Sequence, residues 1–472
     1  MADPRGPFVI TRRRFIQGTA ATLVLAGCGE SGDGNGGTGA EAGAGAAPQE
    51  TFTEPTKRLS GELKILMWSH FVPRHDKWFD RFAKDWGRRV GVNVTVDHIE
   101  VTTIPARLES EISARSGHDV AQFIGPLPQL EPSVIDLADV TKEAERRFGK
   151  QIDLCRRSSL NPTTNKYYAY SPGWVPDPGN FRKSMWADVG LPDGPSTWEE
   201  LREGGAEIQA KRRVPVGIGM SQEIDSNMAG RALLWSFGGA IQDEQERVVL
   251  NSPETVEAVT YMKGLFEDAM TNEVFAWNPA SNNQALVAGK LSYILNSISA
   301  YRTMQQVNPS VAEDVFFVPA LKGPQAALAA QHVMYNWLVP EFAKNPDAAQ
   351  EFLLHYTANF ARATWESELY DFPAFAKLSP QLDEWLDDDP FGSKPSDKLS
   401  VLKNALDWSS NVGREGSANT AIGEVFGTFI IPNMYARAAR GRATPQEAVA
   451  RAERQIEPIF AKWRKRGLLG GA

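Results

Sequence analysis

The chain has 472 residues, a length that predicts two lobes or two domains. Hydrophobic residues make up 42% and charged residues 23%, which is typical of a globular protein and not of a disordered chain. The net charge is −8 and the first 27 residues carry four arginines and one aspartate, so about −11 remains on the body, which argues against a nucleic-acid partner.

The N-terminus resembles an export signal. Residues 11–17 (TRRRFIQ) resemble the twin-arginine motif, and the small-residue stretch that follows is too short to span a bilayer. Residues 25–28 (LAGC) resemble a bacterial lipobox, in which the cysteine is diacylated and the chain is cut before it. We therefore expect residues 1–27 to be a twin-arginine lipoprotein signal peptide, Cys28 to be lipidated, and residues 28–57 to be a flexible Gly/Ala-rich tether. The alternative is an ordinary secretory signal with an accidental cysteine.

The body begins with a strand, a helix and a second strand. Residues 63–67 form an apolar run that ends in Trp68, Ser69 and His70, and an amphipathic helix with four aromatic residues at helical spacing follows. The second strand covers 92–96, so the three elements predict a right-handed βαβ unit. Ligands of open α/β sheets bind beyond the carboxyl ends of the strands, where Trp68, Ser69 and His70 would lie.

The rest of the body alternates helices and strands. Residues 134–139 indicate a short edge segment, and the alternation over 166–174 predicts a strand. Further strands are predicted at 119–123, 216–220, 291–296 and 315–319. Helices are predicted at 104–116, from 196, and at 229–237, 253–270, 283–288, 346–356 and 445–463.

This order of elements resembles a bacterial family-1 extracellular solute-binding protein, the maltose-binding-protein-like receptor subunit of an ABC importer. The resemblance covers essentially the whole mature chain and depends on the order and spacing of short motifs. These are the strand ending in Trp68, ARLESEISARSGHD at 106–119, STWEEL at 196–201, WSFGG at 235–239, AGKL at 288–291 and NPDAA at 345–349.

The resemblance implies a two-lobed α/β fold of the type II periplasmic-binding-protein kind, in which each lobe is a mixed sheet flanked by helices and the ligand lies between them. The implied lobes are 58–166 plus 322–362 and 167–321 plus 363–472, with crossings near Lys166, Leu321 and Arg362. The implied function is capture of a small solute, in many members a mono- or oligosaccharide, and its delivery to the permease subunits without chemistry. We expect a monomer, exported and lipid-anchored to the outer face of the cell membrane, in the periplasmic space if an outer membrane is present.

Sugar sites combine flat aromatic faces with amide, carboxylate and guanidinium groups that bind hydroxyls. Residues of these types fall at predicted strand tips, in loops beside the expected cleft and near the expected crossings. Each of them also has a packing or capping alternative. The predicted ligand contacts are Trp68, Ser69, His70, Asp119, Tyr170, Trp174, Asp225, Asn227, Trp277, Asn278, Asn296, Ser297, Tyr301, Arg302, Tyr335, Asn336, Trp337 and Trp365.

Two alternative functions stay open. The same fold could bind a polyamine or another small cation, which the acidic balance permits. A secreted carbohydrate-active enzyme is also compatible with the sequence, since a carboxylate pair has no local signature, although no nucleophile elbow, HExxH, Walker or Rossmann motif is present. We expect no enzymatic activity, no cofactor and no metal site. The acidic run at 383–390 lacks EF-hand spacing, and its carboxylates are predicted to be solvated surface.

Overall fold

Most strands are short. The computed structural model describes residues 45–375 and 377–471. The strands are β1 (Gly61–Trp68), β2 (Val92–Ile99), β3 (Val120–Phe123), β4 (Leu160–Asn161), β5 (Lys166–Tyr167), β6 (Gly173–Val175), β7 (Gly179–Arg182), β8 (Val216–Gly217), β9 (Tyr293–Leu295), β10 (Val315–Val318), β11 (Ala329–Ala330), β12 (Val333–Met334), β13 (Asn336–Leu338), β14 (Phe372–Pro373) and β15 (Ser409–Ser410).

Helices make up most of the remaining structure. Among those in the described residues, none is long and apolar enough to cross a membrane. The α-helices are α1 (Pro73–Val90), α2 (Ile104–Ala114), α3 (Ala138–Phe148), α4 (Asp153–Arg157), α5 (Lys183–Ala187), α6 (Trp198–Arg212), α7 (Ile224–Ser236), α8 (Pro253–Ala269), α9 (Ser281–Val287), α10 (Ser299–Val307), α11 (Pro309–Asp314), α12 (Pro346–Ala358), α13 (Phe360–Glu366), α14 (Leu382–Asp387), α15 (Ala405–Trp408), α16 (Thr420–Gly427), α17 (Ile430–Ala439) and α18 (Pro445–Lys465). Short 3₁₀ turns cover Val101–Thr103, Pro128–Ser133, Asn272–Phe275 and Ser400–Asn404.

The first lobe is built on a sheet with the order β13-β3-β1-β2. Strand β1 pairs in parallel with β2 along its whole length and with β3, whereas β13 runs antiparallel to β3. The aromatic stripe of α1 is buried, as its spacing predicts: Trp78, Phe79, Phe82 and Trp86. The predicted βαβ unit is therefore confirmed.

The ends of these helices follow local signals. Pro73 opens α1, and Gly91 closes it in the left-handed conformation, with φ of 78° and its N–H donating to the carbonyl of Gly87. Thr197 and Glu200 form a capping box at the start of α6, which is the helix start that STWEEL predicts. Short-range chemistry thus sets where these helices begin and end.

The second lobe is built on a sheet with the order β10-β7-β9-β8. Strand β7 runs antiparallel to β10 and β9, and β8 runs parallel to β9. Helix α8 packs against α6, α17 and α18, α17 packs against α18, and α7 packs against α8 and α17. The strands predicted at 216–220, 291–296 and 315–319 are present as β8, β9 and β10, all shorter than predicted.

Three chain segments pass between the two lobes, and they pair with one another in a small joining sheet with the order β12-β6-β14. Both outer strands run antiparallel to β6, with Val333 opposite Val175 and Phe372 opposite Trp174. Strand β6 leads directly into β7 of the second lobe, and β12 leads directly into β13 of the first. The lobe boundaries themselves, with crossings near Lys166, Leu321 and Arg362, stay a prediction.

The chain before β1 is hydrogen-bonded to the first lobe. The amide of Thr51 donates to Oδ1 of Asn359 at 2.6 Å, and the amide of Thr56 donates to Oε1 of Glu351 at 2.9 Å. These hydrogen bonds attach residues 51–56, which the sequence predicts to be part of the flexible tether, to the folded body. The predicted signal peptide, Cys28 and the tether up to residue 44 lie outside the described residues.

Two local predictions are wrong, and a third is met only in part. Of the short edge segment predicted at 134–139, Val134 forms an isolated bridge to Pro340 and the amide of Ile135 donates to the carbonyl of Val339, but no strand forms and α3 begins at Ala138. The strand predicted over 166–174 is broken into β5 and β6, because the segment between them turns into the joining sheet. Asp389 is not solvated surface: it is buried and paired with Arg302 at 2.6 Å.

We predict that Gly173→Ala destabilises the protein by about 1–3 kcal/mol, the usual cost of overpacking. A Cβ at Gly173 would overlap the ring of Phe360 and lie 2.8 Å from the carbonyl oxygen of Phe372, within the joining sheet. Gly427→Ala is the matched control, since a Cβ there would meet no atom within 4 Å. Urea unfolding of both variants measures the difference, and equal stabilities would show that the joining sheet tolerates a side chain.

Candidate functional site

The carboxyl end of β1 leads into a buried group of polar and aromatic side chains. The rings of Trp68 and His70 stack with their centroids 4.7 Å apart. Nε2 of His70 lies 3.3 Å from the hydroxyl of Tyr335 and 3.3 Å from Oδ1 of Asp371. The Tyr335 hydroxyl also donates to Asp371. Tyr335 follows β12 and Asp371 precedes β14, so the joining sheet positions both against the end of β1.

A second polar group lies on the side of the second lobe. Nδ1 of His332 is 3.0 Å from Oδ1 of Asp177. Oδ2 of Asp225, in the first turn of α7, accepts from the side-chain amides of Asn282 at 2.7 Å and Asn296 at 3.2 Å. All five side chains are buried.

The ring of Tyr370 lies between the two groups. Its centroid is 5.2 Å from that of His70 and 6.4 Å from that of His332, in edge-on geometry with both. The two groups therefore form one buried layer beside the joining sheet. We call it the polar layer, and its members are Trp68, His70, Asp177, Asp225, Asn296, Ser297, His332, Tyr335, Tyr370 and Asp371.

Several polar atoms of this layer have no hydrogen-bond partner among the described residues. They are Nε1 of Trp68, Oδ1 of Asn296, Oγ of Ser297, the hydroxyl of Tyr370 and Oδ2 of Asp371. Buried polar groups are almost always hydrogen-bonded, because an unpaired one costs about 1–3 kcal/mol. Donors and acceptors that converge in this way between aromatic faces are suited to a small solute that carries hydroxyl or amine groups.

A cavity of about 660 Å³ opens beside this layer. Phe123, at the end of β3, and Leu127, which follows the strand, line it from the first lobe, and Glu223, Ile224 and Phe426 line it from the second. It thus lies beyond the carboxyl ends of β3 and β8, where open α/β sheets bind ligands. No member of the polar layer lines this cavity, and Glu223 links the two, because it lies in the cavity wall and its pKa is raised by burial and by the charge of Asp225.

Burial changes the protonation of the carboxyl groups. It raises the pKa of Asp225 to about 6, and it raises the pKa of Glu223 to about 8 with help from the charge of Asp225. Burial lowers the pKa of His332, but the hydrogen bond and charge of Asp177 outweigh it, so the net shift of that pKa is upward. At neutral pH Glu223 therefore keeps a proton that it would release in water, whereas Asp225 is mostly ionised.

His70, His75 and Asp371 have the side-chain types of a metal site, with their candidate ligand atoms within 4.8 Å of one another. However, Nδ1 of His70 accepts from the amide of Val72 at 2.9 Å. The proton of the neutral ring is then on Nε2, which faces Asp371. This arrangement favours a hydrogen bond from His70 to Asp371 over metal ligation by that nitrogen.

The polar layer brings together six of the residues that the sequence predicts as ligand contacts: Trp68, His70, Asp225, Asn296, Ser297 and Tyr335. Their contact with a ligand stays a prediction. Five of them lie at or within two residues of a strand end, and Asp225 lies in the first turn of α7.

The other predicted residues of the first lobe lie outside this layer. Ser69 is exposed. Asp119 precedes β3, at the strand end opposite Trp68, and accepts from the amides of Lys64 and Lys344. The remaining three are buried in contacts of their own: Tyr170 bonds Thr357, Asn336 bonds the carbonyl of Ser158, and Trp337 packs on Phe79 and Tyr356.

The other predicted residues of the second lobe and the joining sheet also have different contacts. Asn227 bonds the carbonyl of Phe426, the side chain of Asn278 accepts from the amide of Ala280 just before α9, and the carbonyl of Trp277 accepts from Ser221. Tyr301 bonds Ser393, and Arg302 bonds Asp389. Trp174 packs on Phe372, and Trp365 packs on Trp385 and Phe391.

Four residues of the polar layer were missed by the sequence analysis: Asp177, His332, Tyr370 and Asp371. All four lie in irregular segments that flank the joining sheet, so no periodicity marks them. The one available signal was the pair of prolines around Asp177, which indicates a rigid turn beside a strand.

Comparisons of the sequence with known proteins all match binding proteins. A family model described as bacterial extracellular solute-binding protein matches residues 77–390. A probable ABC transporter-binding protein of Deinococcus radiodurans is 24% identical over 279 residues, which cover 57% of this chain and 65% of that protein. A putative binding protein of Brucella abortus is 22% identical over 175 residues, covering 37% of this chain and 42% of that protein, so this alignment spans about two fifths of the relative.

Solved structures match over most of the chain. A putative oligosaccharide periplasmic-binding protein from Synechococcus sp. MITs9220, in complex with zinc, has a TM-score of 0.73 and 18% identity, covering 85% of this chain and 100% of that one. A sugar transporter from Arthrobacter chlorophenolicus A6 with bound laminaribiose has a TM-score of 0.70 and 15% identity, covering 84% and 99%. Identities this low show the fold alone, and the predicted two-lobed periplasmic-binding-protein-like α/β fold is confirmed.

We predict that Asp225 and Glu223 together lower the free energy of unfolding by about 1–3 kcal/mol as the pH rises from about 4 to about 8. The pKa values of Asp225 and Glu223 are raised in the folded protein, so the unfolded chain ionises first as the pH rises. Asp225→Asn keeps an oxygen for Asn282 and removes the charge. It should be more stable than the wild type near pH 8 and equally stable near pH 4, as measured by urea unfolding across that range.

The control is Asp407→Asn, because Asp407 is exposed and outside the polar layer. Its unfolding profile should run parallel to that of the wild type. If the Asp225→Asn profile is parallel as well, burial of Asp225 does not set the pH dependence.

Proposed function

The chain belongs to the bacterial extracellular solute-binding proteins, and from this premise we propose that it is the substrate-binding receptor of an ABC importer. It captures a small solute between its two lobes and delivers it to the transmembrane permease. The observation that carries the proposal is the polar layer, whose unpartnered buried donors and acceptors lie where three crossing segments join the lobes. The family predicted from the motifs in the sequence is confirmed; the importer role is the proposal.

The solute that this site fits best is a mono- or oligosaccharide. Trp68, Tyr335 and Tyr370 offer ring faces, and Asp225 and Asn296 offer the carboxylate and amide groups that bind sugar hydroxyls. The related Arthrobacter structure holds laminaribiose, a disaccharide. The volume of about 660 Å³ beside the layer is within the usual range for a small-molecule site.

A cationic solute such as a polyamine is the second candidate, and one observation favours it. The layer and the adjoining cavity wall contain four carboxyl groups, from Asp177, Glu223, Asp225 and Asp371, against one histidine with a raised pKa. Native mass spectrometry against a panel of saccharides and polyamines separates the two candidates. The same incubation tests the expected absence of catalysis, because a receptor returns its ligand chemically unchanged.

We predict that Tyr370→Phe weakens saccharide binding about tenfold or more without lowering the melting temperature. The Tyr370 hydroxyl is buried beside the hydroxyl of Ser297 and reaches no other polar side chain at hydrogen-bond geometry within the described residues, so its removal leaves no charged group unpaired. Loss of a hydrogen bond to the solute would cost about 1–3 kcal/mol of binding free energy. Isothermal titration with the saccharide that the panel identifies measures the affinity.

Tyr435→Phe is the matched control. The Tyr435 hydroxyl is also buried, but it donates to the carbonyl of Gly230 at 2.9 Å inside the second lobe. This variant should lose about 1 kcal/mol of stability and keep its affinity. Full affinity in Tyr370→Phe, with an intact control, would remove Tyr370 from the binding site.

We further propose that the protein is exported and anchored through Cys28 as a monomeric lipoprotein. Support comes from the arginine motif at 11–17 and the lipobox at 25–28. Two acyl chains are sufficient for stable attachment, at about 0.8 kcal/mol per buried CH₂.

For this anchor we predict that Cys28→Ser moves the protein from the membrane fraction to the aqueous fraction and removes the mass of the acyl chains. Cell fractionation and intact-mass measurement test both effects. Cys155→Ser is the control, because Cys155 is buried and burial raises the pKa of its thiol. A Cys28→Ser protein that stays in the membrane at unchanged mass would contradict the anchor.

A further inference from the structure

A second cavity, of about 410 Å³, lies between α17 and α18 in the second lobe. Four arginines line it: Arg437 on α17, Arg440 and Arg442 in the turn that follows, and Arg451 on α18. We call it the arginine cavity. No aspartate or glutamate is among its lining residues, although the whole chain has a net charge of −8.

The four guanidinium groups are not neutralised by the protein. Within the described residues none of them makes an ion pair with a carboxylate, and none donates a side-chain hydrogen bond. This contrasts with Arg182 and Arg302, which pair with Asp314 and Asp389 at 2.7 and 2.6 Å. Four like charges around one small volume repel one another, so an anion between them is strongly favoured.

Two of these arginines are held in place by their surroundings. Nε of Arg437 is buried and has no hydrogen-bond partner. The guanidinium of Arg440 lies over the ring of Phe275, with its carbon 4.1 Å from the ring centroid. Among the described residues, the cavity thus combines one unpaired buried donor nitrogen with the solvent-exposed side chains of Arg440, Arg442 and Arg451.

We propose that the arginine cavity binds a phosphoryl group. The paired N–H donors of a guanidinium group match the spacing of phosphate oxygens. A phosphate dianion also has the charge, and the three or more acceptor oxygens, to bind several guanidinium groups at once. A carboxylate offers only two oxygens and one charge. This site is separate from the polar layer: Thr428 lies in the walls of both the arginine cavity and the cavity between the lobes, but no member of the polar layer lines the arginine cavity.

The first experiment uses inorganic phosphate and the full chain. Isothermal titration at constant ionic strength should detect phosphate binding that Arg451→Ala weakens about tenfold or more, as expected for loss of charge-assisted hydrogen bonds. Arg454→Ala is the matched control, since Arg454 is on the same helix, exposed, and not part of the cavity wall. It should bind phosphate like the wild type. Equal phosphate affinities in the two variants would overturn the proposal. A wild-type protein that binds neither phosphate nor the vesicles described below would overturn it as well.

A second pair of variants guards against an unrelated folding defect. Arg451→Glu places a carboxylate against the other three arginines, so phosphate should no longer raise its melting temperature. Arg454→Glu should keep the phosphate response of the wild type. An unchanged phosphate response in Arg451→Glu would also overturn the proposal.

A phosphoryl group could come from a free anion or from a lipid headgroup, and vesicles distinguish the two sources. Full-length Cys28→Ser protein, which lacks the proposed anchor, is mixed with phosphatidylglycerol vesicles and floated. Arg451-dependent flotation identifies a headgroup as the ligand. Phosphate binding without Arg451-dependent flotation identifies a free phosphorylated anion. The proposed solute receptor can fail its own tests without affecting either outcome.

Discussion

The structure depends on one constraint: the chain passes between its two lobes three times, and the three passages must lie side by side. They do so by pairing as β12, β6 and β14. Asp177 follows β6, His332 precedes β12, Tyr335 follows it, and Asp371 precedes β14, each within two residues of its strand. The same hydrogen bonds that join the lobes therefore assemble polar groups from distant parts of the sequence at the place where the lobes meet.

This assembly has a cost in stability. Carboxyl groups and unpartnered hydroxyls are buried in the layer, where the low dielectric disfavours charge and leaves unmade hydrogen bonds expensive. Raised pKa values at Asp225 and Glu223 express the same penalty. The apolar core of each lobe, such as the aromatic stripe of α1 against the first sheet, offsets it. A solute that supplies the missing hydrogen bonds would remove part of the penalty, so binding and closure of the lobes would stabilise each other.

The parts of the fold that could be predicted are those with short-range signals. The spacing of Trp78 and Phe82 marked α1, and the capping box at Thr197 marked α6. The two-lobed arrangement could be predicted only from the family resemblance, which depends on the order of the motifs. Contacts between distant segments, such as that of Tyr335 with Asp371, leave no local pattern in the sequence. Trp337 and Trp365 were chosen for their ring faces, but a tryptophan packs as readily in a core, and burial is a tertiary property. The arginine cavity was missed for the same reason, since it needs α17 and α18 to be adjacent.

The hydrogen bonds from Thr51 and Thr56 to the α12 region have a mechanical consequence. A force applied at the N-terminal end of the chain is transmitted to the first lobe and does not load the joining sheet. Under the anchoring proposed above, the first lobe would be the stationary one, and any movement of the second lobe would take place about the three crossing strands. An anchored receptor of this kind would then close on its solute as readily as a free one, because the attachment would pull only on the first lobe.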